Sequence, residues 1–203
     1  MRTIEDLEGF EVDKIIEDIE TTYTKELLQP MEAEFIKFFT KVQNFEDGYR
    51  THKASKEIKL ISVIYDANSR LSWVFAMSCL DFYEEDYDMA RPEINMDMYD
   101  DYDVYEMCVN TLKKHNIDDE ELDEYDISAI WETRAELDLD FLIACWQKAK
   151  AITNSKLYAF LEASDNSGGI RDLDNGNFFS DFNDSIEKYL KRNGIMVKKD
   201  AGL

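Results

Sequence analysis

The segment DLDNG (172–176) sets oxygen-bearing side chains at alternate positions, as calcium loops do. Counted from Asp172, position 6 is Asn177 where such loops need glycine, and position 12 is Asn183 where they need a bidentate glutamate. The match fails at the turn and at the bidentate ligand, so no calcium site is expected here. The two histidines, His52 and His115, are far apart, and neither sits in an HExxH or Cys–His zinc spacing. Each reads as a surface or helix-end histidine, with nothing sequential to pair it with a thiol. Nucleophile-elbow, Walker and dinucleotide glycine patterns are absent. The pair Gly168-Gly169 follows Asp-Asn-Ser, which is turn chemistry. Acids are so abundant that a glycosidase-like pair carries no information, because a catalytic carboxylate is recognised by burial and a shifted pKa. The sequence therefore predicts no catalytic residue, no metal site and no cofactor, and so no enzyme.

The remaining chemistry is recognition by charge. Residues 81–103 read DFYEEDYDMARPEINMDMYDDYD, in which ten of twenty-three positions are Asp or Glu and five are Phe or Tyr. A second dense run, DDEELDEYD, spans 118–126. Residues 81–140 hold 22 acids and 4 bases, out of a whole-chain net charge of −22. Such a field attracts cationic partners and repels nucleic acid and anionic membranes. Acid-rich runs are commonly solvated connectors, and that reading of 81–103 and 118–126 stays open. Tyrosine and methionine, however, supply contact area at modest entropic cost and are enriched at recognition surfaces. The two runs flank one short helix of ~15 residues, about 22 Å long. With Asp103 and Glu106 between them, they are expected to form one rim that steers a basic protein. The candidate contact residues are Asp81, Tyr83, Glu84, Glu85, Asp86, Tyr87, Asp88, Asp97, Tyr99, Asp100, Asp101, Tyr102, Asp103, Asp118, Asp119, Glu120 and Glu121.

These residues need a scaffold, and the chain is long enough for one domain over 1–203. A hydrophobic fraction of 44% and an aromatic fraction of 13% are those of a folded protein with a real core. Cys79, Cys108 and Cys145 are odd in number, widely spaced and set among apolar residues, which predicts core thiols in a reducing compartment. No apolar run reaches a membrane span, and the acidic start lacks the apolar core of a signal peptide, so a cytoplasmic location is expected.

The expected fold is α+β, mainly helical, with a small antiparallel sheet on a hairpin at about 57–78 and further strands near 156–174. Val12, Ile15, Ile16, Ile19, Tyr23, Leu27 and Leu28 form a helical stripe that Pro30 should end, opening a second helix through Phe45. EIKLISVIYD and LSWVFAMS flank the polar turn Ala67–Arg70 and predict the central hairpin. Val104, Cys108 and Leu112 mark a helix fraying near His115-Asn116. Asp126 is the expected N-cap of the next helix, whose stripe runs to Ile152 after a kink. KLYAFLEAS (156–164) reads as strand or helical turn. Phe178, Phe179, Phe182, Ile186, Tyr189 and Leu190 read as an amphipathic helix, and 196–203 as a loose tail.

A small acidic chain of this kind resembles bacterial toxin-immunity proteins. The likeness lies in the last third, where the helix FLIACWQKAK (141–150) leads into KLYAFLEAS and the DNSGG turn. It implies inhibition of a cognate toxin, such as a nuclease with a basic cleft, by covering its active site. Two other classes fit the composition. A DNA mimic would spread its carboxylates along an elongated face, and an adaptor domain would carry an acidic surface only for solubility. The oligomeric state has no signature in the sequence.

Overall fold

A computed structural model of the protein describes residues 9–44, 46, 60–66, 70–81, 84–90, 101–117, 124–163, 170–179 and 191. They form an α+β protein in the order α1 (Gly9–Tyr23), a π turn (Thr24–Leu28), α2 (Gln29–Asn44), β1 (Leu60–Asp66), β2 (Arg70–Asp81), β3 (Glu84–Ala90), α3 (Asp101–Lys114), α4 (Glu124–Thr153), β4 (Tyr158–Ala163), β5 (Ile170–Asp172) and β6 (Phe178–Phe179). The strands make one sheet in the order β3-β2-β1-β4-β5-β6. Packing divides the chain, expected as one domain, into two compact units. One comprises residues 1–32 and 94–141, the other 33–93 and 142–203.

In the first unit α1 packs against α3. Ile15, Ile19 and Tyr23 recur at the spacing of one helical face and are all buried. Pro30 does not break the chain into two separate helices as expected. An α-helical turn there would press the proline ring on the carbonyl of Glu26 and leave no N–H to donate. The backbone instead widens into the π turn, in which the Gln29 N–H reaches back five residues to the Thr24 carbonyl. Buried positions accordingly step by five across it, from Tyr23 to Leu28, before returning to the usual spacing at Met31, Phe35, Phe38, Phe39 and Val42.

α3 ends on an αL cap. Asn116 has φ 60, its N–H donates to the Lys113 carbonyl, and the Ile117 N–H donates to the Leu112 carbonyl. These are the two bonds of a Schellman motif, and Leu112 and Ile117 are both buried, as that motif favours. α4 is one unbroken helix, where a kink was expected. It begins at Glu124, so Asp126 lies in its first turn rather than at the N-cap. A carboxylate there still complements the positive end of the helix dipole.

The second unit holds the sheet. The β1–β2 hairpin forms as expected, with Leu60 opposite Cys79 and Tyr65 opposite Val74. The sheet is mixed rather than antiparallel, because β4 lies parallel to β1, with Leu60 beside Tyr158. A parallel neighbour requires a crossover, and the chain between them contains α3 and α4. Residues 158–163 resolve to strand, where a helical turn competed in the sequence. Ile61, Val63, Ala159 and Leu161 are buried on the face they share through that register. Phe39 meets the fully buried Trp146 edge-on at 5.6 Å, joining α2 to the second half of α4. Gln43, itself buried, accepts from the Thr153 hydroxyl and donates to the Trp146 carbonyl.

Two expected core positions move. Ile152 is 67% exposed at the end of α4. Phe178 and Phe179 do not start a helix, because the DLDNG turn folds them back as β6 beside β5, with Phe178 53% exposed under Arg171. Residues 180–190 of the expected helix, Phe45, His52 and the 196–203 tail lie outside the described residues.

Candidate functional site

Parts of the acidic tract, residue 81 and residues 84–90 and 101–103, belong to regular elements. Asp81 ends β2, and Glu84, Glu85, Asp86, Tyr87 and Asp88 belong to β3. β3 is the outermost strand of the sheet on that side among the described residues. Its register places Glu84 opposite Asp81, Glu85 opposite Cys79 and Asp86 opposite Ser78. A shift then carries Tyr87 and Asp88 past before Met89 meets Met77. Four acids in seven edge residues have a structural rationale as well, because like charge on an edge discourages pairing with another sheet. Asp101, Tyr102 and Asp103 form the first turn of α3, with Lys113 and Lys114 in its last, so the helix is charged in the sense its dipole favours.

Tyr83, Asp97, Tyr99, Asp100, Asp118, Asp119, Glu120 and Glu121 lie outside the described residues. The expected rim draws on β3, which belongs to the second unit, and on the start of α3, which belongs to the first.

The most fully connected polar cluster lies elsewhere, around the DLDNG turn. Asp172 is 1% exposed. Its Oδ1 accepts from the Asp174 N–H at 2.7 Å and its Oδ2 from the Asn175 amide at 2.9 Å. The Gly176 N–H donates to the Asp172 carbonyl at 2.7 Å, and Gly176 takes φ +75, a region that suits glycine. Asn177 N–H closes on Asn175 Oδ1 at 2.9 Å. The turn thereby presents Asp174 to α4. The Asp174 carboxylate accepts from Lys150 Nζ at 2.7 Å through each oxygen and from Trp146 Nε1 at 2.8 Å. Lys150 Nζ also donates to the Leu157 carbonyl at 2.7 Å.

The oxygens that resembled a cation cage thus receive protein donors. Lys150, with three hydrogen bonds, ties α4 to the residue before β4 and to the turn. The sequence reading took 170–174 as strand, whereas β5 ends at Asp172 and the chain turns there, and it did not pair Asp174 with Lys150. The available signal was the i, i+4 spacing of Trp146 and Lys150, which puts two donors on one helical face.

His115 stands at the C-terminal end of α3, and its Nε2 lies 2.7 Å from Asp18 Oδ2 on α1. It is a helix-end histidine that ties two helices of the first unit. Tyr23 donates to Asp138 within the same unit. Cys108 and Cys145 are buried thiols, filling core positions as small apolar residues do. Among the described residues no group of three or more His, Cys, Asp or Glu side chains is placed to hold a metal ion, and no helix is long and apolar enough to cross a membrane. No family model, curated protein or solved structure matches the chain.

Proposed function

We propose that this chain is an acidic protein-binding domain of the toxin-immunity kind, which occludes the active site of a basic cytoplasmic partner and performs no chemistry itself. The observation that carries the reading is the charge distribution. Residues 81–140 hold 22 acids against 4 bases, while 141–203 hold 8 against 9. Concentrating repulsion in one part of a chain opposes folding, and a cationic partner would relieve it. Further support comes from the regular backbone beneath part of the tract, since β3 and the start of α3 offer an ordered base for contact residues. A nuclease suits the reading because its substrate cleft must be basic.

The test uses the full chain, immobilised, to capture its partner from the native lysate, followed by association kinetics with the purified partner. Replacing Asp97, Asp100 and Asp101 by Lys is expected to leave the circular dichroism unchanged and to slow association by about tenfold at low salt, with dissociation little altered. Unchanged association removes the acidic tract from the mechanism. Competition by duplex DNA for the captured partner, with no toxin activity to inhibit, would favour DNA mimicry. Binding insensitive to salt would favour an adaptor.

A further inference from the structure

The dipeptide Asn175-Gly176 has the composition most open to spontaneous deamidation, because glycine lacks the Cβ that would shield its nitrogen. In that reaction the Gly176 nitrogen loses its proton and attacks Asn175 Cγ. The new C–N bond closes a succinimide, and Nδ2 leaves as ammonia. Water then opens either carbonyl of the ring, giving an aspartyl or isoaspartyl residue at position 175. Asn175 is exposed, so water has access.

Asp172 occupies both groups that this chemistry must free. Its carbonyl holds the Gly176 N–H at 2.7 Å and its Oδ2 holds the Asn175 Nδ2 at 2.9 Å. The other end of the same amide, Oδ1, is held by the Asn177 N–H at 2.9 Å. We infer that Asn175-Gly176 is a latent modification site which Asp172 keeps closed, and whose modification unlatches Asp174 from Trp146 and Lys150. The second half follows from charge. The product carboxylate replaces a donor facing Asp172 Oδ2, so two like charges meet beside a residue that is 1% exposed. Opening the turn relieves that repulsion, and the same turn positions Asp174.

The full chain, incubated in warm, mildly alkaline buffer with and without urea, is followed by peptide mapping for acid and isoaspartate at position 175. The folded protein is expected to react about tenfold more slowly than the unfolded chain, equivalent to ~1.4 kcal/mol of barrier. Asp172→Ala keeps the backbone carbonyl on the Gly176 N–H but frees the Asn175 amide, so it should raise the folded rate part of the way towards the urea rate. Equal rates for folded and unfolded wild type, or a folded Asp172→Ala protein reacting at the wild-type rate, would overturn the guard. If Asp172→Ala does not fold, the wild-type ratio decides alone. Asn175→Asp, the mimic of the product, is expected to lower Tm by about 5 °C and to shift the Trp146 indole N–H resonance. An unchanged Tm and resonance would sink the unlatching.

Discussion

Asn116 shows how one side chain sets the end of an element. It occupies the left-handed region that most L residues avoid, and two carbonyls of α3 depend on the chain reversing there. Asn116→Ala should therefore destabilise the protein by about 1 kcal/mol, and Asn116→Gly should be neutral or slightly stabilising, as urea titration will show. If both variants matched wild type, the cap would contribute nothing. Trp146 is a larger test, because it is fully buried, meets Phe39 and donates to Asp174. Trp146→Ala should cost about 3–5 kcal/mol, and a midpoint near wild type would show that the site is not the core of its unit. At this scale the sequence was partly legible. His115-Asn116 marked a helix end by type, but the Schellman bonds need Leu112 and Ile117 buried together. The Lys150–Asp174 tie joins positions 24 apart, with two strands between them, and no local pattern reports such a pair.

Helix and hairpin periodicity carried most of the element-scale reading, because each is decided within a few residues. Ile15, Ile19 and Tyr23 announce α1 by spacing alone, and the β-branched and aromatic run of β1 announces a strand. The failures share a cause. The π turn depends on how Pro30 and the preceding carbonyls are accommodated, β6 on hydrogen bonds made by the DLDNG turn, and the parallel β1–β4 pairing on a partner absent from the local window. The acidic tract was legible as charge and not as backbone, since acids are poor strand formers and β3 is fixed by pairing with β2. The π turn supplies its own prediction. Lys25 is exposed, so Lys25→Ala should change stability little. Deleting Lys25 would remove the extra residue and rotate one buried stripe against the other by about 100°. The expected loss is about 3 kcal/mol or more, read from urea unfolding, whereas equal stability of the two variants would mean the turn adapts freely.

Charge is the property of the whole molecule that the sequence states most plainly, with a net −22 over 203 residues. Self-repulsion of that size opposes the compact state, and salt screens it. The described ion pairs act the other way, since salt weakens exposed pairs such as Lys37–Glu34. Repulsion should win, so raising NaCl from ~0.01 to ~0.15 M should raise Tm by about 3 °C. A fall in Tm would assign the larger role to attractive pairs. The parallel pairing of β1 with β4 has a further meaning for the protein as it is made. Leu60 meets Tyr158, 98 positions later. At ~5–20 residues per second the ribosome needs about 5–20 s to deliver that partner. For that interval the nascent hairpin carries an apolar strand with one side unfilled, open to pairing with any other emerging chain. The synthesis of this protein thus contains a window of vulnerability, which slower elongation between β3 and β4 would lengthen.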